Sequence, residues 1–227
     1  MKVKAVIFDL DGTIVDFKLD SKATRAEIIH FLVNDGFPQS IFSMNDNLLE
    51  ILNKAEIFLK NHHKEAQIET NKKSILSIAE KYEMEAARTT SLVPGILEAL
   101  RALRKMKLKL ALFTINSKNS VNHILRTFNL KGYFDAVITR EDVVRLKPNP
   151  IHLKTALNAL GMKSRESVVV GDSVWDMKSA RALRVFAVGT TTGIASAQEL
   201  TKAGAHCLVS SPTDMITLIE QLNKKGN

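Results

Sequence analysis

The sequence is poor in the residues that mark secreted, membrane-spanning and fibrous proteins. Its 227 residues include one cysteine, one tryptophan, five prolines and ten glycines, and only 6% are aromatic. A single cysteine, Cys207, excludes an internal disulfide and fits a reducing compartment. No apolar run reaches the roughly 18 residues that a membrane-spanning helix needs. Asp9 interrupts the apolar N-terminal run too early for a secretory signal. We therefore expect a cytoplasmic protein that does not bind a membrane.

The positive charge of the chain is unevenly distributed. The net charge is +8, but residues 16–91 hold 10 Lys and Arg against 12 Asp and Glu, and the rest of the chain holds 22 against 12. A basic remainder favours anionic ligands. Few aromatic residues are present and none are interleaved with a basic run, which argues against nucleic acid as a partner. The sequence leaves the oligomeric state open.

Apolar strand patterns and amphipathic helix patterns alternate along the chain from residue 93 onward. Short connections between them predict parallel β-α-β crossovers and a doubly wound sheet of the α/β class. An earlier apolar strand, residues 6–8, comes before a stretch with helical patterns only. We therefore predict an α/β core formed by residues 1–15 and 92–227, with an all-helical insert at 16–91. Residues 224–227 are predicted to be a tail.

Within the insert, three helices are predicted from caps and periodicity. Ser21 is expected to cap a helix over residues 23–34. Residues 43–46, Ser-Met-Asn-Asp, resemble a capping box that opens a second helix. The third helix carries Ile75 and Ile78 on one face.

Two aspartates end the first strand, and the chain then continues with Gly12 and Thr13. Asp9 and Asp11 at the mouth of a buried strand repel each other, and a buried charge is costly unless something compensates it. A divalent cation or a shared proton is the usual compensation, so the pair predicts a metal site, acid/base chemistry or both. The alternative is a strand that runs into a turn in which Asp11 binds nearby backbone.

Other polar side chains follow the ends of the later strands. Because ligands bind beyond the carboxyl ends of parallel strands, these side chains are expected to meet at one edge of the sheet. Taken in chain order, the candidates are Asp9, Asp11, Thr114, Asn116, Lys147, Asp172 and Asp176.

The chemistry of these candidates suits a metal and a phosphoryl group. Carboxylate oxygens suit Mg2+, and Thr114 and Lys147 offer a donor and a positive charge to phosphoryl oxygens. Taken singly, Asp172 also fits a helix N-cap and Lys147 a solvated side chain. The segment 189–193, Gly-Thr-Thr-Thr-Gly, is either a lining of this site or a plain loop.

The order of these motifs resembles that of the haloacid dehalogenase superfamily of hydrolases across almost the whole chain. Residues 9–13, Asp-Leu-Asp-Gly-Thr, match the first signature motif and Thr114 matches the second. Lys147 with the following proline matches the third, and residues 171–173, Gly-Asp-Ser, with Asp176 match the fourth. The insert is similar to the helical cap of this family. The chain is most similar to the phosphoglycolate-phosphatase-like group.

The resemblance implies a residue role for each motif. Asp9 would be the nucleophile and Asp11 the general acid/base of a phosphatase acting on a small phosphorylated metabolite. Mg2+ would be held by Asp9, the Asp11 backbone carbonyl and Asp172, with Asp176 assisting through water. Thr114 and Lys147 would bind the transferring phosphoryl group.

Two departures from the family pattern stand out. An extra residue separates Thr114 from Asn116, which is a candidate phosphate ligand in place of the adjacent asparagine of the family, and Arg184 replaces a common glycine. Two alternatives stay open: a phosphomutase of the β-phosphoglucomutase type, and a non-catalytic binding protein on the same scaffold.

Overall fold

The protein, described here by a computed structural model that covers residues 2–224, divides into two compact units. Met1–Phe17 and Thr89–Asn227 form one unit, named the core unit, and Lys18–Arg88 form the other, named the helical unit. The tail predicted at residues 224–227 is wrong at Lys224, which ends the last helix, and its other three residues lie outside the described residues. Within residues 2–224, none of the helices combines the length and apolar character needed to cross a bilayer.

The described residues form eight strands and nine α-helices. The strands are β1 (Ala5–Phe8), β2 (Val15–Asp16), β3 (Ser91–Leu92), β4 (Lys109–Phe113), β5 (Ala136–Ile138), β6 (Ser167–Gly171), β7 (Phe186–Thr190) and β8 (Cys207–Val209). The helices are α1 (Ser21–Asn34), α2 (Leu48–Asn61), α3 (Ile68–Thr89), α4 (Ile96–Lys105), α5 (Lys118–Thr127), α6 (Pro150–Leu160), α7 (Val174–Ala182), α8 (Ala197–Ala203) and α9 (Asp214–Lys224).

A six-stranded parallel sheet in the order β5-β4-β1-β6-β7-β8 forms the centre of the core unit. Every pairing in it is parallel, and Phe8 at the end of β1 lies between Leu112 of β4 and Val170 of β6. Strand β1 is central and buried along its whole length, so all of its residues are apolar. The first polar residue, Asp9, follows directly after it. The predicted doubly wound α/β fold is confirmed.

The helical unit has its own apolar core. Helices α1, α2 and α3 contribute buried side chains that include Ile28, Leu32, Ile51 and Ile75. At the surface, the Lys81 ammonium of α3 lies 2.8 Å from the Glu27 carboxylate of α1, and such an exposed pair adds little stability. The three helices are thus held together by apolar burial.

Two of the predicted helix starts in this unit are wrong. Asp20, not Ser21, caps α1, because its carboxylate accepts the Ala23 N–H at 2.8 Å. The capping box of α2 is formed by Asn47 and Glu50, and residues 43–46 form a preceding turn. In both cases a competing Asp or Asn lies close in sequence, and only the path of the chain selects between them.

The prediction that residues 16–91 are wholly helical is wrong at both ends. Val15–Asp16 and Ser91–Leu92 pair as a short antiparallel ribbon, β2 with β3. Two residues per strand are too few for a periodic pattern to reveal them.

Arg184 occupies the position after α7 where a glycine was expected. Its φ angle is +54°, so the chain keeps the left-handed turn that glycine favours. The departure therefore changes the side chain and keeps a left-handed backbone conformation at this position.

Candidate active site

A sharp turn after β1 presents Asp9 and Asp11 at the carboxyl edge of the sheet. The Asp9 N–H still donates to the Val170 carbonyl of β6 at 2.9 Å, so the first aspartate is fixed to the sheet. Its Oδ1 accepts the Leu10 N–H at 2.7 Å. Gly12 then turns the chain with a φ angle of +66°, and a Cβ there would lie 2.5 Å from an Asp172 carboxylate oxygen. The turn therefore requires glycine for its conformation and for its space.

Lys147 lies at the centre of the site and is only 2% exposed. Its ammonium lies 2.5 Å from Asp9 Oδ1 and 2.8 Å from Asp176 Oδ1, and it stands 4.7 Å from the centre of the Phe113 ring. Burial lowers the pKa of Lys147, but the charges of Asp176 and Asp9 outweigh that effect and raise the pKa above its ordinary value. The ammonium is thus kept charged inside the protein, and the solvated alternative is wrong.

Both carboxylate oxygens of Asp176, in the first turn of α7, already accept hydrogen bonds. Ser173 is the N-cap, and Asp176 Oδ2 accepts its N–H at 3.1 Å and its hydroxyl at 2.5 Å. Oδ1 accepts the Lys147 ammonium. The carboxylate is therefore fixed by both the helix start and the lysine. The N-cap alternative for Asp172 is wrong, because Ser173 fills that role and Asp172 stays available to the site.

Three buried carboxylates form a cluster in the described part of the chain. One oxygen each from Asp9, Asp172 and Asp176 lies within 4.8 Å of the others. Burial raises the pKa of Asp9 well above its ordinary value, and the Asp176 charge adds to the effect. Burial, and then Asp176, also raises the pKa of Asp172 to about 6. Mutual repulsion among oxygen donors is the situation that a hard divalent cation relieves, so the donor set fits Mg2+.

Thr114 and Asn116 lie where β4 ends, but their side chains are used differently. The buried Thr114 hydroxyl accepts the Asn116 N–H at 3.2 Å. The Asn116 amide donates to Asp11 Oδ1 at 2.9 Å. The amide therefore contacts the second aspartate of the first motif. Asn116 as a direct phosphate ligand stays a prediction.

The loop after β7 forms part of the site. Of the two alternatives for residues 189–193, a lining of the site is therefore correct and a plain loop is wrong. The Ile194 N–H donates to Asp172 Oδ2 at 2.8 Å, and the Thr192 hydroxyl donates to the Gly12 carbonyl at 2.5 Å. Gly193 packs so closely that a Cβ there would lie 1.9 Å from Asp172 Oδ2. Loop residues 192–194 therefore hold both Asp172 and the turn after Asp9. The only sequence signal was a Gly- and Thr-rich stretch that follows a strand.

Comparison with known proteins places these features in a family context. The sequence profile described as haloacid dehalogenase-like hydrolase matches residues 6–190. The phosphoglycolate phosphatase of Chromobacterium violaceum is 28% identical over 96% of this chain and 97% of its own length. The pyrophosphatase PpaX of Halalkalibacterium halodurans is 26% identical over 78% of each chain.

A solved structure shows the same architecture. The crystal structure of a hydrolase from Pseudomonas syringae superposes with a TM-score of 0.67 at 26% identity, covering 96% of this chain and 98% of that one. The region matched by the family profile contains all four motifs described above. It ends at residue 190, before α8, β8 and α9.

Proposed function

We propose that this chain, which belongs to the haloacid dehalogenase-like hydrolases, is a Mg2+-dependent phosphatase that forms an aspartyl-phosphate on Asp9. Its membership and its phosphatase relatives make it a hydrolase that acts on phosphate esters. The observation that supports the finer proposal is the meeting of one buried ammonium and three carboxylates at the carboxyl edge of the sheet. We further propose that the insert expected at residues 16–91 is a separate domain, with the bounds of the helical unit, Lys18–Arg88.

The metal ligands proposed are Asp9, Asp172 and the backbone carbonyl of Asp11. Asp176 would assist through water, because its two oxygens already accept hydrogen bonds from Ser173 and Lys147. When bound, Mg2+ would screen the repulsion between the carboxylates and an anionic substrate.

The protein residues carry the two displacements that we propose. The Asp9 carboxylate attacks phosphorus, the ester P–O bond breaks, and Asp11 donates its proton to the departing oxygen. Asp11 then takes a proton from water, whose oxygen attacks phosphorus and breaks the Asp9–phosphate bond. Lys147 and Thr114 stabilise the phosphoryl oxygens during both steps. Asn116 orients Asp11 through its hydrogen bond.

The substrate proposed is a small phosphate monoester such as phosphoglycolate. The named activity of the Chromobacterium violaceum relative supports it. Pyrophosphate is the second candidate, because another relative is a pyrophosphatase. Both are small anions, in agreement with the excess of positive charge outside residues 16–91.

One assay tests the proposal directly. Phosphoglycolate, other phosphate monoesters and pyrophosphate are supplied with Mg2+ or with a chelator, and released inorganic phosphate is measured. We expect release that requires Mg2+ and that falls at least about 1,000-fold in Asp9→Asn, while Asp35→Asn, a change of the same chemistry on an exposed residue, keeps full activity. An Asp9→Asn variant that still turns over would refute the mechanism, and an isomerised sugar phosphate without phosphate release would indicate a mutase.

A further inference from the structure

A buried histidine lies directly behind the lysine of the site. His152 is fully buried in the first turn of α6. Asn149 caps that helix by accepting the Ile151 N–H at 3.0 Å, and Pro150 takes the first helical position, where its missing N–H is no loss. The first turn therefore folds back on the loop before it, and His152 Nδ1 accepts the Lys147 backbone N–H at 3.4 Å.

The same histidine also supports the wall on which the lysine side chain lies. Its ring meets the Phe113 ring edge-on, with centroids 5.6 Å apart and a 71° angle between the planes. The Lys147 ammonium stands 4.7 Å from the centre of the Phe113 ring, and Nζ lies 3.5 Å from the Phe113 carbonyl oxygen. His152 thus contacts the lysine at its backbone and, through Phe113, at its charged end.

We propose that His152 is a positioning residue that fixes Lys147 for contact with the phosphoryl group, an inference that rests on the function proposed above. His152 is not one of the seven candidate residues named from the sequence. Its role differs from theirs because its imidazole acts only through Lys147 and Phe113.

The charge state of His152 suits this role. Burial, and then the Lys147 charge, lowers the pKa of His152 to about 4, while the Ile138 carbonyl acts in the opposite direction. The ring is therefore neutral near pH 7, and since Nδ1 accepts a hydrogen bond, the proton is on Nε2. A neutral acceptor holds the Lys147 backbone without competing with Asp9 and Asp176 for the ammonium.

Misplacement of Lys147 is expected to be costly. Without Nδ1, the Lys147 N–H is buried without its acceptor, and the loop is free to shift. A displacement of about 1 Å in a catalytic group lowers turnover by up to about 100-fold. The loss is expected mainly in kcat, since the contact with the phosphoryl group is tightest in the transition state.

A set of side-chain replacements separates positioning from packing. His152→Phe keeps an aromatic ring and loses the acceptor; His152→Asn keeps an acceptor near the Nδ1 position; His152→Gln places its amide farther out, beyond that position. The control is His206, an exposed histidine whose Nδ1 accepts the Ala187 N–H at 3.0 Å and whose ring stacks on Phe186 at 4.7 Å. Like His152 it accepts a backbone N–H and contacts an aromatic ring, but it lies at the opposite, amino end of the sheet, and its ring is stacked instead of edge-on.

Two measurements are made on each variant with Mg2+ present: steady-state phosphate release, and binding of inorganic phosphate by calorimetry. We expect kcat to fall about 10- to 50-fold in His152→Phe and His152→Gln with a smaller rise in KM, and phosphate to bind more weakly. His152→Asn should recover kcat to within about 5-fold of the wild type. His206→Phe should melt at a lower temperature and keep its kcat.

The outcomes distinguish this proposal from the proposed function. A wild type that turns over, together with folded His152→Gln or His152→Phe of unchanged kcat, overturns the positioning role alone. So does an equal loss of kcat in His206→Phe, because general destabilisation then explains the effect. If His152→Phe does not fold, the comparison of Asn with Gln decides. A wild type with neither turnover nor phosphate binding overturns both proposals. If the wild type binds phosphate without turnover, weaker phosphate binding in His152→Phe and His152→Gln supports the positioning role, and unchanged binding overturns it.

Discussion

The Lys147 ammonium lies 2.5 Å from Oδ1 of Asp9, and both residues are almost fully buried. A buried ion pair survives only when its geometry offsets the loss of hydration. Here one ammonium serves two carboxylates, and a third, Asp172, lies beside them. The site thus carries excess negative charge, which a divalent cation would balance.

Removal of the lysine charge should damage both stability and turnover. In Lys147→Met the buried Asp9 and Asp176 lose their shared partner, and we expect a loss of about 3–5 kcal/mol in the free energy of unfolding. Phosphate release should fall at least about 100-fold. Urea denaturation and the phosphate assay measure the two effects. Lys105→Met, a change at an exposed residue, is the control, and equal behaviour of the two variants would contradict the central role of Lys147.

Binding of Mg2+ should be visible without turnover. Trp175 is the only tryptophan and lies between Asp172 and Asp176 in sequence. We expect its fluorescence to change on titration with Mg2+ in the absence of substrate. Asp172→Asn should weaken that binding at least about 10-fold, because one ionised ligand is lost. A titration curve that is the same in both proteins would remove Asp172 from the metal site.

The raised pKa of Asp172 predicts a pH-dependent cost to the metal-free protein. Its pKa is about 6 in the folded protein against 3.8 ordinarily, so the folded state binds more protons between these values and stability falls as the pH rises through them. Two pKa units correspond to about 3 kcal/mol. In a chelator, Asp172→Asn should therefore melt about 6–12 °C above the wild type at pH 8, and the difference should vanish near pH 4.

Mg2+ provides the control for that measurement. With Mg2+ at pH 8 the order of melting temperatures should reverse, because the wild type gains a bound ion and the variant has lost a ligand. If the difference between the two proteins is independent of pH in the chelator, the repulsion that we assign to Asp172 is absent.

Gly193 should tolerate no side chain. A Cβ would lie 1.9 Å from Asp172 Oδ2, so Gly193→Ala must displace either the loop or Asp172, the proposed metal ligand. We expect a loss of at least about 10-fold in phosphate release and weaker Mg2+ binding. Gly132→Ala is the matched control, since nothing lies within 4 Å of a Cβ there. Full activity in Gly193→Ala would show that the loop does not constrain Asp172.

Asn116 should affect proton transfer more than substrate binding. Its amide donates to Asp11 Oδ1 at 2.9 Å, so Asn116→Ala frees the proposed acid/base. We expect kcat to fall about 10- to 100-fold with little change in KM. A rise in KM at constant kcat would instead indicate the direct phosphate contact that the sequence suggests. Asn158→Ala, on the exposed face of α6, is the control.

Sequence patterns predicted most of the sheet and failed where neighbouring signals compete. The bounds of strand β4 and helix α6 coincide with clear sequence signals, an apolar run for the strand and Pro150 and Gly161 at the two ends of the helix. The capping positions of α1 and α2 were wrong, since Asp, Asn and Ser cap a helix almost equally well. The β2–β3 ribbon was missed, because it has only two residues in each strand.

The sequence by itself determined the chemistry available to this protein: four aspartates, a threonine, an asparagine and a lysine placed after the strands of a parallel sheet. It could do so because side chains that follow parallel strands must emerge at one edge. Only the tertiary structure decided how they pair. Lys147 is shared between Asp9 and Asp176, and Asn116 donates a hydrogen bond to Asp11. His152 accepts the Lys147 backbone N–H, and Gly193 packs against Asp172. These contacts join segments that are distant in sequence or depend on a fold-back of the chain. Which side chains meet there is decided by how the elements pack, and a local sequence pattern does not contain that information.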